Sequence, residues 1–523
     1  MENQFVNIVN FVELLEDHPN QDLVSYVVDG LQNGFDIGFT GTPSSIVRPN
    51  NKSARDNVFL VSQAVQKEVD RGHTAGPFDN PPFPINHISP IGAAPKPDGT
   101  CRLVLDLSQP KGQSVNENID KDDFPCQYTH FDAATELVMR MGKGCLLSKV
   151  DIKHAYRLLP VRPADWPLLV YYWEGKYYVD LKVPFGGRSS ASIFTSFADL
   201  VCWVLTEKYT LIVIHYSDDF LLFSIQDLAQ ALLDLETLKF VFSYLDIPIQ
   251  VDKLLGPDTV MQYLGLILDT DSFSISVPQD KVRDILDTLT KWGKRRTCTL
   301  TELLSLNGKL TFMSKVIVPG RMFTRRLIDL TKTVSRPHHH VTLTREAKED
   351  ICWWQEMLLS HNFNSLMPNP KRIYASDIKL YTDASGRHGF GAVYGNEWIQ
   401  STWLTEATAE QDINFQELFA IMAATLTWGQ WWVGRRIVFV TDNEPITRIW
   451  ASGTSPVPSL MKLVRKIFMF AALNDFCVSL KHINGHANMA ADALSRFQME
   501  RFRRLMPNAD QQPTVIPEQV WQL

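Results

Sequence analysis

Apolar positions along this chain change their spacing several times, and each change marks an element. Near the N-terminus, Leu14, Leu15, Val24, Val27, Val28 and Leu31 fall on helical spacing in two pieces broken at Pro19, which predicts two short helices. Prolines then crowd residues 76–100, an extended connector ending at the Asp98-Gly99 turn. From 102 to 280 the texture alternates. RLVLDL and CLLSKVDI read as strands, and YYWEGKYYVDL as a hairpin turning at Glu174-Gly175. SSASIFTSFADLVCWVLTE and IQDLAQALLDLETLKF read as helices. LIVIHYSDDFLLFSI reads as two strands with Ser217-Asp218 near their junction, and VMQYLGLILDT as a strand pair. Two βαβ-like passages around one antiparallel hairpin predict an α/β sheet with helices on one face.

Residues 281–375 predict mainly helices, with basic clusters KWGKRR and GRMFTRR. The pattern restarts at 376 with three hairpin strands, a long helix, a strand, helices, a strand and a closing helix over about 120 residues. The three histidines 338–340 have no partner ligands at useful spacing and read as a polar loop. The last residues, with Pro507, Pro513 and Pro517, read as a tail.

Length changes this picture only by making two to four domains the natural division of 523 residues. No apolar run reaches the length of a membrane span, and the acidic N-terminus lacks a signal peptide's features. The seven cysteines include no closely spaced pair, which excludes a disulfide framework or zinc ribbon. The expectation is an intracellular protein, cytoplasmic or nuclear, without a membrane partner. The net charge of −7 argues at first against nucleic acid. Residues 281–380, however, hold 18 Lys+Arg against 9 Asp+Glu, and a local field guides a polyanion better than the total. Residues 1–80 carry the opposite balance, 5 basic against 11 acidic, so nucleic-acid contact is not expected there.

Candidate chemistry lies in two acidic constellations. In the first, Asp151 ends an apolar strand while Asp218 and Asp219 sit at the apex of an apolar hairpin. Carboxylates crowded where a buried hairpin meets solvent are costly unless they share cations. Oxygen-only donors favour Mg²⁺, or Mn²⁺, over zinc, and two such ions suit in-line phosphoryl displacement. In the second, Asp383, Glu417, Asp442 and Asp492 lie on separate predicted elements that a fold can bring together, again in keeping with a two-metal hydrolytic site.

These residues carry a resemblance. YSDD (216–219) resembles the Tyr-x-Asp-Asp box of reverse transcriptases, and DIKHAYRLLPV (151–161) the first catalytic strand and its turn. VPFGGRSSASIF (183–194) resembles the glycine box, KPDGTCRLVLD (96–106) the finger hairpin, and YLG (263–265) the primer grip. TDAS, QEL, TDN and HINGHANMAADALSR resemble ribonuclease H. RLVLDLSQPKGQSVNENI, PFGGRSS and GKLTFMSKVIVPGRMFTRRLIDL are similar to DIRS-like retroelements.

The resemblance implies a multidomain α/β and α+β fold, a right-hand polymerase followed by a ribonuclease H-like domain. Its division is an N-terminal helical extension at 1–80, fingers and palm at 81–280, a basic thumb and connection at 281–375, a ribonuclease H-like domain at 376–498, and a tail at 499–523. It implies RNA-directed DNA synthesis with cleavage of the RNA strand of hybrids, two Mg²⁺ (or Mn²⁺) ions per site, and all seven carboxylates as ligands. Partners would be an RNA template, a DNA primer, their hybrid and deoxynucleoside triphosphates, with an element-encoded recombinase or structural protein beside them. Lys96 and Arg102 would clamp phosphates, Tyr156 would face the sugar, and Phe185 and Gly186 would pack near the base pair and template. Tyr156 is also readable as a core aromatic. His482 and His486 both suit the mobile histidine of the nuclease, and Gly485 tilts the choice to His486. The alternatives are a catalytically idle nucleic-acid-binding protein and a nuclease with a degenerate polymerase.

Overall fold

A computed structural model of the chain describes residues 6–96, 99–317, 320–360, 364–366, 378–403, 411–433, 435–452, 455, 457–474 and 476–522. Internal contacts divide it into two units, Met1–Met261 and Gln262–Leu523.

The first unit opens with helices Ile8–Leu14 and Gln21–Asn33, separated at Pro19 as the spacing predicts. Asn7 and Asn20 cap them, each side chain accepting a backbone N–H three residues on, which satisfies one of the donors a helix start leaves open. Their apolar face joins the main core. Phe11 meets Phe197 at 5.7 Å between ring centroids, and Phe35 pairs with Val161. The acidic N-terminal segment is therefore built into the fold of this unit.

The sheet that matters for chemistry has four strands, in the order Leu255–Asp258, Leu146–Asp151, Asp219–Ser224 and Ile212–Tyr216. Neighbours run antiparallel, with Asp219 opposite Asp151 and Phe220 opposite Val150. Phe220, Leu221, Leu222 and Phe223 are all buried, so this central strand is covered on both faces rather than one. Burying each such side chain contributes about 1.5–3 kcal/mol, which offsets the cost of ending the strands in carboxylates. Helices Ser190–Trp203 and Leu228–Tyr244 follow the predicted apolar runs. A second sheet of five strands includes the hairpin Val170–Trp173/Lys176–Asp180, turning at Glu174 and Gly175 with φ of 45° and 81°. A separate two-stranded ribbon pairs Ile91–Pro95 with Cys101–Leu105.

The second unit begins with helices Gln279–Gly293, Leu300–Met313, Gly320–Leu330 and Arg345–Ser360. Several of its basic residues are committed to the fold. Arg295 reaches Glu302 at 2.8 Å, where Glu302 also closes a capping box with Thr299. Arg325 pairs with Asp329 at 3.3 Å, and Arg326 with Asp350 at 3.7 Å. Trp353 stacks on Phe323 with centroids 3.6 Å apart, Trp354 and Trp432 are fully buried, and Trp431 is 53% exposed. Three of these four tryptophans are therefore core anchors.

Beyond 377 lies a five-stranded sheet in the order Glu397–Thr402, Gly389–Tyr394, Ile378–Ser385, Arg436–Thr441 and Cys477–His482. The first three are antiparallel and the last two add in parallel. Helix Ile413–Trp428 is buried along nearly all its length. The residues expected as a tail pack back on this sheet. Phe502 and Val520 are fully buried, Trp398 Nε1 donates to the Asp510 carbonyl at 2.7 Å, and Trp521 lies 5.7 Å from Phe419. The prolines that suggested a loose end shape a wrap whose apolar residues find a surface.

Candidate nucleotide and metal sites

Asp151 reaches its place because Leu147 and Val150 are held in the core while the strand's last residue meets a cavity. Ser217, with φ of 54°, turns the partner hairpin in the left-handed region, and Asp218 follows it. The Asp218 carbonyl accepts from Ile152 N–H at 3.0 Å, tying the two chain segments together. Burial pushes the Asp151 carboxyl up to about 6, with Asp218 adding to the push and Lys253 opposing it. Burial likewise raises Asp218. Lys253 Nζ lies 2.8 Å from Asp151 and Lys149 Nζ 3.1 Å from Asp219. Both ammonium groups stand where a cation relieves carboxylate repulsion, so the donor set fits divalent metal that takes over that role.

The cavity in front of these carboxylates has a volume of about 690 Å³. Its walls bring together Lys96, Arg102, Tyr156 and Phe185 with Asp151 and Asp218. The Arg102 guanidinium lies over the Phe185 ring at 4.8 Å, a cation–π contact that orients it. Tyr156 meets Phe185 edge-on at 5.3 Å and Phe194 at 5.0 Å. Its ring thus lines the cavity and packs on the core at once. Gly186 has φ of 107°, and a Cβ there would come within 2.7 Å of the Leu105 carbonyl, so the backbone approach requires glycine. Sequence reasoning missed what holds this loop. Buried Asn116 donates to the Gly186 carbonyl at 2.8 Å and accepts from Arg188 N–H at 2.8 Å. Lys149 could have been found, since it lies two residues before Asp151 and so shares its strand face. Lys253 is the last residue of the one-turn helix Val251–Lys253, where no spacing signals it.

The primer-grip candidate lies in the second unit. Tyr263 is buried, Leu264 and Gly265 turn with φ of 46° and 81°, and the Gly265 carbonyl accepts from Lys281 Nζ at 3.2 Å.

The second constellation is also in this unit. Asp383 is on the sheet's central strand, Glu417 on the buried helix, and Asp442 just beyond strand Arg436–Thr441. One ligand atom from each lies within 4.8 Å of the others. Burial, then Asp383 and Asp442, push the Glu417 carboxyl well above its ordinary value. Burial chiefly raises Asp383 to about 6, with Asp442 and Asp492 adding to it and Ser495 opposing. Glu417 Oε1 accepts from Ala384 N–H at 3.3 Å, while Oε2 is buried with no hydrogen-bond partner. An orphaned buried carboxylate oxygen facing two further carboxylates fits a divalent cation. Asp492 stands outside this trio. Arg496 at 2.6 Å and Arg501 at 2.7 Å hold it and keep its carboxyl below the usual range. His482 Nε2 lies 3.2 Å from the Asp442 carbonyl oxygen, and the His486 side chain is outside the described residues.

Residues 94–268 match the family model described as reverse transcriptase (RNA-dependent DNA polymerase). The chain is similar to a retrotransposon- or retrovirus-like reverse transcriptase–ribonuclease H polyprotein segment. It is 20% identical over 531 residues to a retrovirus-related Pol polyprotein from transposon 297 of Drosophila melanogaster, covering 95% of this chain and 45% of that protein. It is 22% identical over 437 residues to the transposon Tf2-3 polyprotein of Schizosaccharomyces pombe, covering 83% of this chain and 30% of that one. The chain thus spans less than half the length of these relatives. A foamy viral protease–reverse transcriptase solved with double-stranded DNA superposes with a TM-score of 0.51 at 16% identity, over 92% of this chain and 83% of that one. The mixed α/β multidomain architecture matches the foamy virus reverse transcriptase–ribonuclease H fold. No described helix is long and apolar enough to cross a membrane.

Proposed function

We propose that this chain is the polymerase–nuclease segment of a DIRS-like retroelement, copying RNA into DNA and cleaving the RNA strand of the resulting hybrid. The observation that carries the reading is the single cavity where Lys96, Arg102, Tyr156 and Phe185 face Asp151 and Asp218. The separate trio Asp383, Glu417 and Asp442 supports the nuclease half. The DIRS-like refinement rests on the motifs at 102–119, 184–190 and 308–330. We retain the division at 1–80, 81–280, 281–375 and 376–498 as extension, fingers and palm, thumb and connection, and nuclease, and assign 499–523, expected as a tail, to the nuclease fold on which they pack.

In this reading the primer 3′-oxygen bonds to the α-phosphorus, the α–β bridging bond breaks, pyrophosphate leaves and the hydroxyl proton passes to solvent. Lys96 and Arg102 hold the triphosphate, Arg as a fork and Lys as a mobile charge. Phe185, without a hydrogen-bonding group, and Gly186 shape the space beside the base pair. Asp151, Asp218 and Asp219 in the polymerase, and Asp383, Glu417 and Asp442 in the nuclease, with Asp492 joining them once released from its arginines, would hold two Mg²⁺ or Mn²⁺ ions per site. Bound, these ions activate the attacking oxygen and steady the leaving group. His486 assists hydrolysis beside the second site. The partners are RNA template, DNA primer, hybrid and deoxynucleoside triphosphates, in the cytoplasm or nucleus, with an element-encoded recombinase or structural protein.

Primer extension on an RNA template, with Mg²⁺ and with chelator, tests the reading. Metal-dependent extension is expected. The Lys253–Asp151 and Lys149–Asp219 pairs are what an idle binding protein would also display, and hybrid binding without extension would favour it.

Tyr156→Ala should admit ribonucleotides that the parent rejects, since the ring occupies the cavity wall where a 2′-hydroxyl would meet it. Single-nucleotide kinetics on the two sugars measures this. Unchanged discrimination would make Tyr156 a packing residue held by Phe185 and Phe194.

A further inference from the structure

The wall of the 690 Å³ cavity contributed by helix Val58–Asp70 and the residues just after it has no role in the reaction outlined above. This helix packs on the strand carrying Arg102, with Cys101 Sγ 3.4 Å from the Leu60 carbonyl oxygen. Lys67 and Arg71 line the cavity from its C-terminal end, and His154 lines it from the turn three residues beyond Asp151. Lys67, Arg71 and the neutral His154 line the same cavity as Lys96 and Arg102. Lys67 and Lys96 both pull down the Cys101 thiol, which its burial otherwise raises, so the two ammonium groups share one locale. Arg71 and Lys153 help burial hold the His154 imidazole down, to about 4, so Arg71 faces the turn that follows the catalytic strand.

The local acids neutralise this wall only in part. Glu68 Oε2 already serves Arg157 at 2.7 Å and His73 at 3.0 Å, and Arg157 also takes Asp180 at 2.8 Å. Arg71 is left with the other Glu68 oxygen at 3.6 Å. The buried Arg157–Glu68–Asp180 set is a fixed support beneath the wall, and it anchors the helix end to the turn bearing His154 and Tyr156.

We infer that Lys67, Arg71 and His154 form a second phosphate subsite, which takes the terminal phosphates of an incoming nucleoside triphosphate and then the leaving pyrophosphate. The inference rests on the polymerase reading for its ligand. A triphosphate brings several negative charges, and Lys96 with Arg102 supply two positive ones. Lys67 and Arg71 add charge-assisted donors to those two, in a cavity screened less than open solvent. The cavity volume lies within the range of about 300–1,000 Å³ that small-ligand sites occupy. A contact to the terminal phosphates alone acts on binding in ground and transition states alike, so it should appear in KM rather than kcat.

The test compares the parent, Lys67→Ala/Arg71→Ala and the conservative Lys67→Arg, each checked for an unchanged melting transition. Losing two charge-assisted contacts should raise KM for the deoxynucleotide about tenfold with kcat within about twofold. The pyrophosphate concentration that inhibits extension should rise by a similar factor, and Lys67→Arg should stay near the parent. Calorimetric titration with inorganic tripolyphosphate needs no turnover, so it separates this inference from the polymerase reading. A parent that binds tripolyphosphate but does not extend primers would defeat that reading and leave the subsite standing. Unchanged KM and unchanged tripolyphosphate affinity in the double variant would overturn the subsite. So would an effect confined to primer–template affinity, which would assign these cations to the template backbone.

Discussion

Asp218→Asn should reduce DNA synthesis by about 10³-fold or more while hybrid cleavage stays near the parent rate. The expectation comes from two carboxylate sets lying in separate structural units, Asp151, Asp218 and Asp219 in one and Asp383, Glu417 and Asp442 in the other. Burial already raises the Asp218 carboxyl, so a neutral amide of the same shape removes a desolvation cost and should not unfold the protein. Primer extension and labelled-RNA cleavage on one preparation provide the check. Equal loss of both activities in a variant with a normal melting curve would sink the two-site assignment.

Glu417→Gln should give the reciprocal outcome, with hybrid cleavage lost by about 10³-fold or more and extension retained. It also carries a stability signature. Asp383 is raised to about 6 against an ordinary 3.8, so in that window the metal-free folded state binds more protons than the unfolded chain. Stability must then fall as pH rises from about 4 to about 6 and stay reduced at neutral pH. Glu417 is itself raised well above its ordinary value, by burial and then by Asp383 and Asp442, and glutamine removes its share of that loss, so metal-free Glu417→Gln should melt above the metal-free parent at pH 7, and the gap should close near pH 4. Melting curves in chelator at the two pH values decide it. Added Mg²⁺ should stabilise the parent more than the variant, because the ion fills the deficit that glutamine has already removed.

Much of this was legible in the sequence, for reasons specific to each place. Asp218 and Asp219 interrupt a hairpin so apolar that its carboxylates needed a purpose, and the strand pairing does set Asp219 against Asp151. The glycine at 186 could be read as a close backbone approach, and its φ of 107° bears that need out. What escaped was long-range pairing. Asn116 lies 70 residues from the carbonyl it holds, and no local spacing announces such a bond. Charge counting over 281–380 treats Arg295, Arg325 and Arg326 alike, yet each has an acidic neighbour in the fold. The Asp492–Arg496 pair was within reach of a helical i,i+4 reading, whereas Arg501 belongs to the next helix. The C-terminal residues looked loose because prolines deny them regular structure, although Val520 and Trp521 are apolar enough to dock without it.

Among the described residues, no lysine or arginine pairs with Asp383, Glu417 or Asp442 as Lys253 and Lys149 pair with Asp151 and Asp219, and one Glu417 oxygen is left without a hydrogen bond. A magnesium ion arriving at the first site competes with a lysine in direct contact with a carboxylate, whereas at the second the cation acting on Asp383 is Arg496, whose side chain is already engaged by Asp492. Copying and template removal should therefore respond differently as the cell's free magnesium declines, with synthesis stalling first. On the proposed reading, scarce magnesium would let hybrid removal outlast extension, so the fate of a half-made DNA copy would hang on two lysines outside every recognised motif.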